Sequence, residues 1–336
     1  MDSAQAYGYM LYFVSLMTMG GIYAIMCLGL NIQWGFTGLF NAGIAGFFAI
    51  GAYVSAILTT AESTSHLGGY DLPIALGLVG AMAVTAVIAW LVSLLCIRLR
   101  SDYLAIATIG IGEIFRLILK NEIWATNGAR GIAKIPLPFE TLSEPWNKIG
   151  FMLLVLAVVA VFYFLIERAR LAPWGRLMTA IRENEQSARA AGKNVERFRI
   201  EAFVCGSVLM GLAGGLTAHY IKFIGPGATE PLTTTFLVWV MLIAGGSGNN
   251  RGAVLGAFLL WGIWSFSEVL TGRLPAEMAV KAAYFRIFLI GLLLQVVLQR
   301  YAGGILPERR PTTDNRAQKQ PLSGSHLSKP NQSKLT

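Results

Sequence analysis

The sequence predicts an all-α, polytopic integral membrane helix bundle of about nine spans, or eight to ten if a Gly-rich segment is re-entrant or broken. Three observations predict it. Hydrophobic residues make up 55% of the 336-residue chain and charged residues only 13%, with a mean hydropathy of +0.58. A soluble domain would need far more surface charge. Long apolar runs follow one another from end to end, and the basic residues collect between runs and in the tail.

The runs fall at residues 9–30, 37–59, 72–97, 102–119, 150–167, 200–221, 233–246, 253–271 and 281–299. A span needs ~20 residues at a rise of ~1.5 Å, so most qualify and 233–246 is short. The first run should remain as an anchor, because the start lacks a basic region and the apolar stretch continues past signal length. Cys27, Cys96 and Cys205 are widely spaced within apolar segments and read as packing residues.

Within the first two runs lies Gly35-Phe-Thr37-Gly38-Leu-Phe-Asn41-Ala-Gly43-Ile-Ala-Gly46. Its spacing is echoed, with a one-residue slip, by Gly245-Gly246-Ser-Gly248-Asn249-Asn250-Arg251-Gly252-Ala-Val-Leu-Gly256. Small residues let helices approach closely or break, and paired broken segments point to a central transport pathway. Gln33, Thr37, Gly38, Asn41, Gly43, Gly245 and Gly246 are the pathway candidates. The other reading is simple helix packing, with the Asn41 amide bonding between helices. Glu113 and Arg116, three residues apart in the fourth run, share a helix face and are expected to pair within the membrane.

Residues 120–149 contain Trp124, Asn127, Gly128, Gly131, Pro136, Pro138 and Trp146 and predict an ordered extracytoplasmic loop with interfacial aromatics. The long charged loop 168–199 carries Arg168, Arg170, Arg176, Arg182, Arg189, Lys193, Arg197 and Arg199. That density marks a cytoplasmic segment. Pro173 suits a helix start, Leu177, Ala180, Ile181, Ala188 and Ala191 give an interrupted helical stripe, and Gly192 can end it. One or two short helices are expected, docked on a partner or resting on anionic lipid.

From Pro307 the composition turns to Arg, Thr, Ser, Gln, Lys, Asn and Pro, which predicts a disordered cytoplasmic tail at 307–336 after a permease domain at 1–306. With loop 168–199 inside, eighteen Lys and Arg lie on the inner side against seven outside, with Arg116 and Arg286 left in spans. The C-terminus is therefore expected inside and, for nine spans, the N-terminus outside. This bias accounts for the net charge of +9 without a nucleic acid.

No Gly-x-x-x-x-Gly-Lys-Ser/Thr phosphate loop, nucleophile elbow or metal-ligand cluster occurs, so no catalytic or metal residue is assigned and no cofactor is expected. An ion-coupled transporter or channel would predict several buried acidic groups, and only Glu113 and Glu268 are candidates within spans, the other acids of the runs standing at their ends.

Taken in order, several stretches resemble the permease family of bacterial ATP-binding-cassette importers for branched-chain amino acids, over roughly residues 20–307. They are Leu28-Gly-Leu-Asn31-Ile-Gln33-Trp-Gly35 continuing to Gly43, Phe47-Phe-Ala-Ile-Gly51-Ala-Tyr53, Tyr103-Leu-Ala-Ile-Ala-Thr108, Glu113-Ile-Phe-Arg116, and Gly128-Ala-Arg-Gly131-Ile. Further on come Gly175-Arg176-Leu-Met-Thr-Ala180-Ile181-Arg182-Glu183-Asn184-Glu185, Gly211-Leu-Ala-Gly214-Gly215, and Gly245-Gly246-Ser-Gly248. The Glu-Ala-Ala, three residues, Gly pattern of importer permeases generally is altered here to Gln186-Ser187-Ala188, three residues, Gly192, with Glu185 one place early.

The resemblance implies a multi-pass subunit of the bacterial inner membrane, working with a second permease, separate ATP-binding subunits that hold the ATP, and a periplasmic substrate-binding protein. It implies an aliphatic amino acid as substrate, with urea, amides or another small polar solute as the alternative within the class. It also places ATPase coupling in the loop, at Arg176, Ala180, Ile181, Arg182, Glu183, Asn184, Glu185, Ala188 and Gly192.

Overall fold

The computed structural model describes residues 3–63, 66–271, 281, 284–285, 288, 291–292, 295–296, 299–300 and 303–308. Among these, six helices are long and apolar enough to cross a membrane: Gln5–Phe36, Ile74–Cys96, Trp146–Leu171, Val195–Ile221, Pro226–Gly245 and Asn250–Val269. They match six of the nine expected runs.

The other three runs behave differently. Run 37–59 is a broken segment: helix α1 (Ser3–Leu30) passes through wide π-type turns at Asn31–Phe36, residues 38–43 leave the helix, and α2 (Ile44–Thr59) resumes for 16 residues. After α3 (Ile74–Cys96), run 102–119 forms α4 (Ser101–Asn121), long enough to span but carrying Asp102, Glu113, Arg116 and Lys120. Composition alone does not make it a span. Run 281–299 lies for the most part outside the described residues.

A short helix α5 (Ile123–Thr126) opens the loop at 120–149. Its strand β1 (Ile132–Ala133) pairs antiparallel with β2 (Phe223–Ile224), Ile132 facing Ile224. Asn127, in the left-handed region at φ 62°, donates through Nδ2 to Gly131 O at 2.8 Å. The loop is pinned further by His219. Its Nδ1 lies 2.8 Å from Pro136 O and its Nε2 2.9 Å from Ser55 Oγ. Since a carbonyl can only accept, Nδ1 carries the proton and Nε2 accepts from the serine. Trp124 and Trp146 stand exposed, as interfacial aromatics do.

Helix α6 (Trp146–Leu171) leads to α7 (Pro173–Glu183) and α8 (Glu185–Ala190), the two short helices expected of loop 168–199. Then come α9 (Val195–Ile221), α10 (Leu237–Gly245) and α11 (Asn250–Thr271). Because α8 leads into α9 and β2 follows it, the α7–α8 hairpin and the pinned loop lie at opposite ends of the bundle.

The centre is built from α1, α2 and α9. At Gly51 of α2, a Cβ would stand 2.0 Å from Gly211 O of α9; at Gly214, one would stand 2.0 Å from Phe48 O. The glycines let the two backbones touch, which is how helices pack where lipid offers no hydrophobic drive. Outside this centre, α3 and α6 turn Val79, Val87, Leu95, Val161, Phe164 and Leu165 outward, an apolar perimeter suited to acyl chains.

Candidate pathway and coupling site

Residues 38–43 lack a helical ladder at the depth of the apolar bundle, so every polar group there needs a partner in protein. Asn31, Gln33 and Asn41 are fully buried. Asn41 donates through Nδ2 to Gln33 Oε1 at 3.0 Å and accepts from Gly43 N–H at 2.9 Å. Gln33 passes the network on, its Nε2 donating to Phe203 O at 2.8 Å and Ser207 Oγ at 3.1 Å. Thr37 turns its hydroxyl back to Gln33 O. Three further bonds tie the break to its neighbours: Thr108 Oγ1 accepts from Ala42 N–H, Thr235 Oγ1 from Ala45 N–H, and Asn41 O from the Trp239 indole. The Asn41 amide is therefore turned into the protein, not toward a lumen.

The two Gly-rich stretches meet at Gly35, where a Cβ would stand 2.6 Å from Gly248 N, and Asn31, just before the first stretch, bonds to the second. Asn31 Oδ1 accepts from Gly248 N–H at 2.8 Å, and Asn31 Nδ2 donates to Asn250 Oδ1 at 2.9 Å. Asn250 in turn donates to Glu167 Oε2 at 2.8 Å, and Glu167 grips Arg170. At Gly246 the turn between α10 and α11 has φ 119° and a Cβ would stand 2.2 Å from Leu306 O, so only glycine fits. Gly245 packs on Gly252.

Beside the break runs an apolar groove with a volume of about 540 Å³ between α2, α4 and α10, lined by Phe40, Gly43, Gly46, Ile109, Gly112, Thr235 and Trp239, with Glu113 at its edge. Phe40 stacks on Trp239 with ring centroids 4.3 Å apart, and Trp34 sits edge-on to both. Glu113 is held by Arg116 through two bonds, Nε to Oε2 at 2.9 Å and Nη2 to Oε1 at 2.5 Å. Of the predicted pathway residues, only Gly43 lines this groove. Gln33 and Asn41 brace the break, Thr37 and Gly38 open on a polar cleft beneath it, and Gly245 and Gly246 form the α10–α11 turn.

The hairpin α7–α8 borders that cleft, with a volume of about 870 Å³ and walls that include Arg98, Arg100, Arg182, Glu183, Glu185 and Arg199. Asn184 caps α8 by accepting from Ser187 N–H at 2.9 Å, and Asn194 caps α9 likewise from Arg197 N–H at 3.1 Å. Gly192 ends the hairpin at φ 74°. Glu185 binds Arg189 at 2.7 Å and Arg199 at 3.4 Å.

Ile181 and Ala188, which the resemblance places among the coupling residues, would have to face a partner to touch it directly. The stripe of Ile181 and Ala188 is buried against Val195, with Leu177 and Phe198 around it, so it holds the hairpin to α9 and does not face outward. The outward face is Arg176, Ala180, Glu183, Asn184, Ser187 and Arg189.

Sequence reasoning passed over Trp239, Thr108, Ser207, Thr235, Glu167 and Glu308, all of them partners of the break or of its neighbours. Lone polar residues inside apolar runs were the available signal for Thr108 and Ser207.

The chain is similar to known proteins along most of its length. A family model described as branched-chain amino acid transport system / permease component matches residues 12–297. The high-affinity branched-chain amino acid transport system permease protein LivM of Escherichia coli (strain K12) is 32% identical over 321 residues, covering 89% of this chain and 71% of its own. The probable branched-chain amino acid transport permease protein LivM of Methanocaldococcus jannaschii is 26% identical, with 86% and 91% covered. The permease protein LivH of the same Escherichia coli system is 26% identical over 264 residues, with 74% and 84% covered. No solved structure matches the chain.

Proposed function

The chain belongs to the permease family of branched-chain amino acid transport systems, and from that premise we propose that it forms one half of the pathway of an ATP-driven importer for aliphatic amino acids. The observation that carries the proposal is the groove beside residues 38–43. Its aromatic and glycine lining suits a branched aliphatic side chain, and its volume of about 540 Å³ leaves room for the zwitterionic end as well. Glu113 supplies one carboxylate at the edge, its charge balanced by Arg116.

The complete subunit has nine spans in this reading: the six long apolar helices, the broken segment ending in α2, the charged helix α4, and run 281–299. The bias of basic residues puts the α7–α8 end and the C-terminus in the cytoplasm. A second permease completes the pathway, a periplasmic binding protein delivers substrate, and separate subunits bind and hydrolyse ATP, for which this chain has no phosphate loop. The outward face of α7–α8 receives their movement, the Asn184 and Asn194 caps keeping it rigid. The membrane is the bacterial inner membrane.

The test is uptake by the complex reconstituted with its ATPase and binding protein. Ile109 is an exposed wall of the groove, so Ile109→Trp adds bulk without emptying the core. Leucine uptake is expected to fall while the amount of complex holds. Undiminished leucine uptake by Ile109→Trp removes the groove from the pathway, and uptake of urea or a small amide in place of leucine overturns the substrate.

A further inference from the structure

Arg182 joins three parts of the molecule that are far apart in sequence. It projects from α7, donates through Nη1 to Gly35 O at the end of the π-type turns, and donates through Nη2 to Glu308 Oε2 at 2.7 Å. Both side chains are largely covered, at 24% and 25% exposure. An ion pair so covered is stiffer than one on an open surface.

Glu308 is itself fixed from behind. The backbone of Ile305 and Leu306 donates to Ala244 O and Gly245 O at 2.9 Å each, closing the end of α10. Asn249 Nδ2 reaches Leu306 O at 3.2 Å and Pro307 O at 3.3 Å. The Glu308 carboxylate then lies over Gly248, where a Cβ would stand 2.9 Å from Cδ. Gly248 in turn donates to Asn31 on the first span. The circuit runs from α7 to the break, and from the break through the α10–α11 turn back to α7.

We infer that Glu308 is a positioning residue that holds Arg182 on Gly35, so that displacement of α7 is passed to the broken end of the first span. The inference rests on the reading of α7–α8 as the ATPase contact. Without Glu308, the Arg182 guanidinium is free to turn toward the polar cleft and its other acids, Glu183 and Glu185. The helix then moves without pulling the break. Two residues that composition assigns to the tail, Pro307 and Glu308, thereby belong to the working part of the permease.

The experiment uses the whole complex in liposomes and reads the ratio of ATP hydrolysis with loaded binding protein to hydrolysis without it. In Glu308→Ala, and in a chain ending at Pro307, the ATPase subunits are expected to co-purify and basal hydrolysis to persist. The ratio should fall about tenfold, the factor carried by one charge-assisted hydrogen bond. Glu308→Asp keeps the charge and recovers part of the ratio, and a chain ending at Glu308 behaves as the full chain. A full ratio in Glu308→Ala overturns the inference, as does loss of the ATPase subunits from that variant, which marks a merely structural role. Ala180→Arg, on the outward face, is the separate control: if it leaves ATPase association unchanged, the reading of α7–α8 itself has failed.

Discussion

Asn31 and Asn250, 219 positions apart, meet side chain to side chain at 2.9 Å in the buried centre of the protein. Asn31 opens the turns that lead into the first Gly-rich stretch and Asn250 lies within the second, so side-chain amides join the two interruptions of the helical pattern.

Asn31→Leu removes the acceptor of Gly248 N–H and the donor to Asn250 at once. Each buried group left without a partner costs ~1–3 kcal/mol. The expected result is a lower unfolding temperature of the detergent-purified protein, with Asn250→Leu less severe. In a double-mutant cycle the two should be strongly non-additive; simple additivity would mean the pair is incidental.

Asn41→Leu strands the Gly43 N–H and the Gln33 Oε1. A penalty of ~1–3 kcal/mol for each lands on the fold. Membrane yield and uptake are expected to fall together. Normal yield with uptake alone abolished would give the Asn41 amide to the solute instead.

Gly51→Val places a branched side chain where even a Cβ would be 2.0 Å from Gly211 O. Overpacking of this kind costs ~1–3 kcal/mol or more, and it should separate α2 from α9. Immunoblots of membranes are expected to show little mature protein. A well-expressed Gly51→Val would show that the two helices slide freely.

Glu113 and Arg116 are held by two bonds in a partly covered setting. Removing one leaves the other charged in an apolar region, at ~2.5 kcal/mol near the bilayer centre and less toward its edge. Glu113→Ala or Arg116→Ala should reduce assembled complex on native gels, and the neutral pair Glu113→Gln with Arg116→Gln should restore most of it. Normal amounts of assembled complex with transport selectively lost would instead assign the pair a direct part in transport.

Much of the fold was legible because apolar length is a strong signal. Runs such as 72–97 and 150–167 became Ile74–Cys96 and Trp146–Leu171 with small shifts at the ends. At Gly38, Asn41 and Gly43 the sequence left a break and close helix packing as alternatives, and the backbone at 38–43 shows the break. Direction was harder. A stripe such as Ile181 and Ala188 says that a face is covered, but not whether α9 or another subunit covers it. The Arg182–Glu308 contact was out of reach, because Glu308 sits in a polar composition and its partner is 126 positions away. Groove residues such as Trp239 and Thr235 looked like ordinary members of a short apolar run until the break in the second run placed a backbone against them.

Helix α2 has 16 residues, and at ~1.5 Å each it reaches ~24 Å, short of a hydrocarbon layer of ~30 Å. Residues 38–43 therefore leave the helical pattern before α2 has reached the length of a full span. On the pathway proposed beside this break, the dehydrated part of a solute's route is set by one shortened helix rather than by lipid thickness, so transport should depend less on acyl-chain length than simple diffusion through the same bilayer.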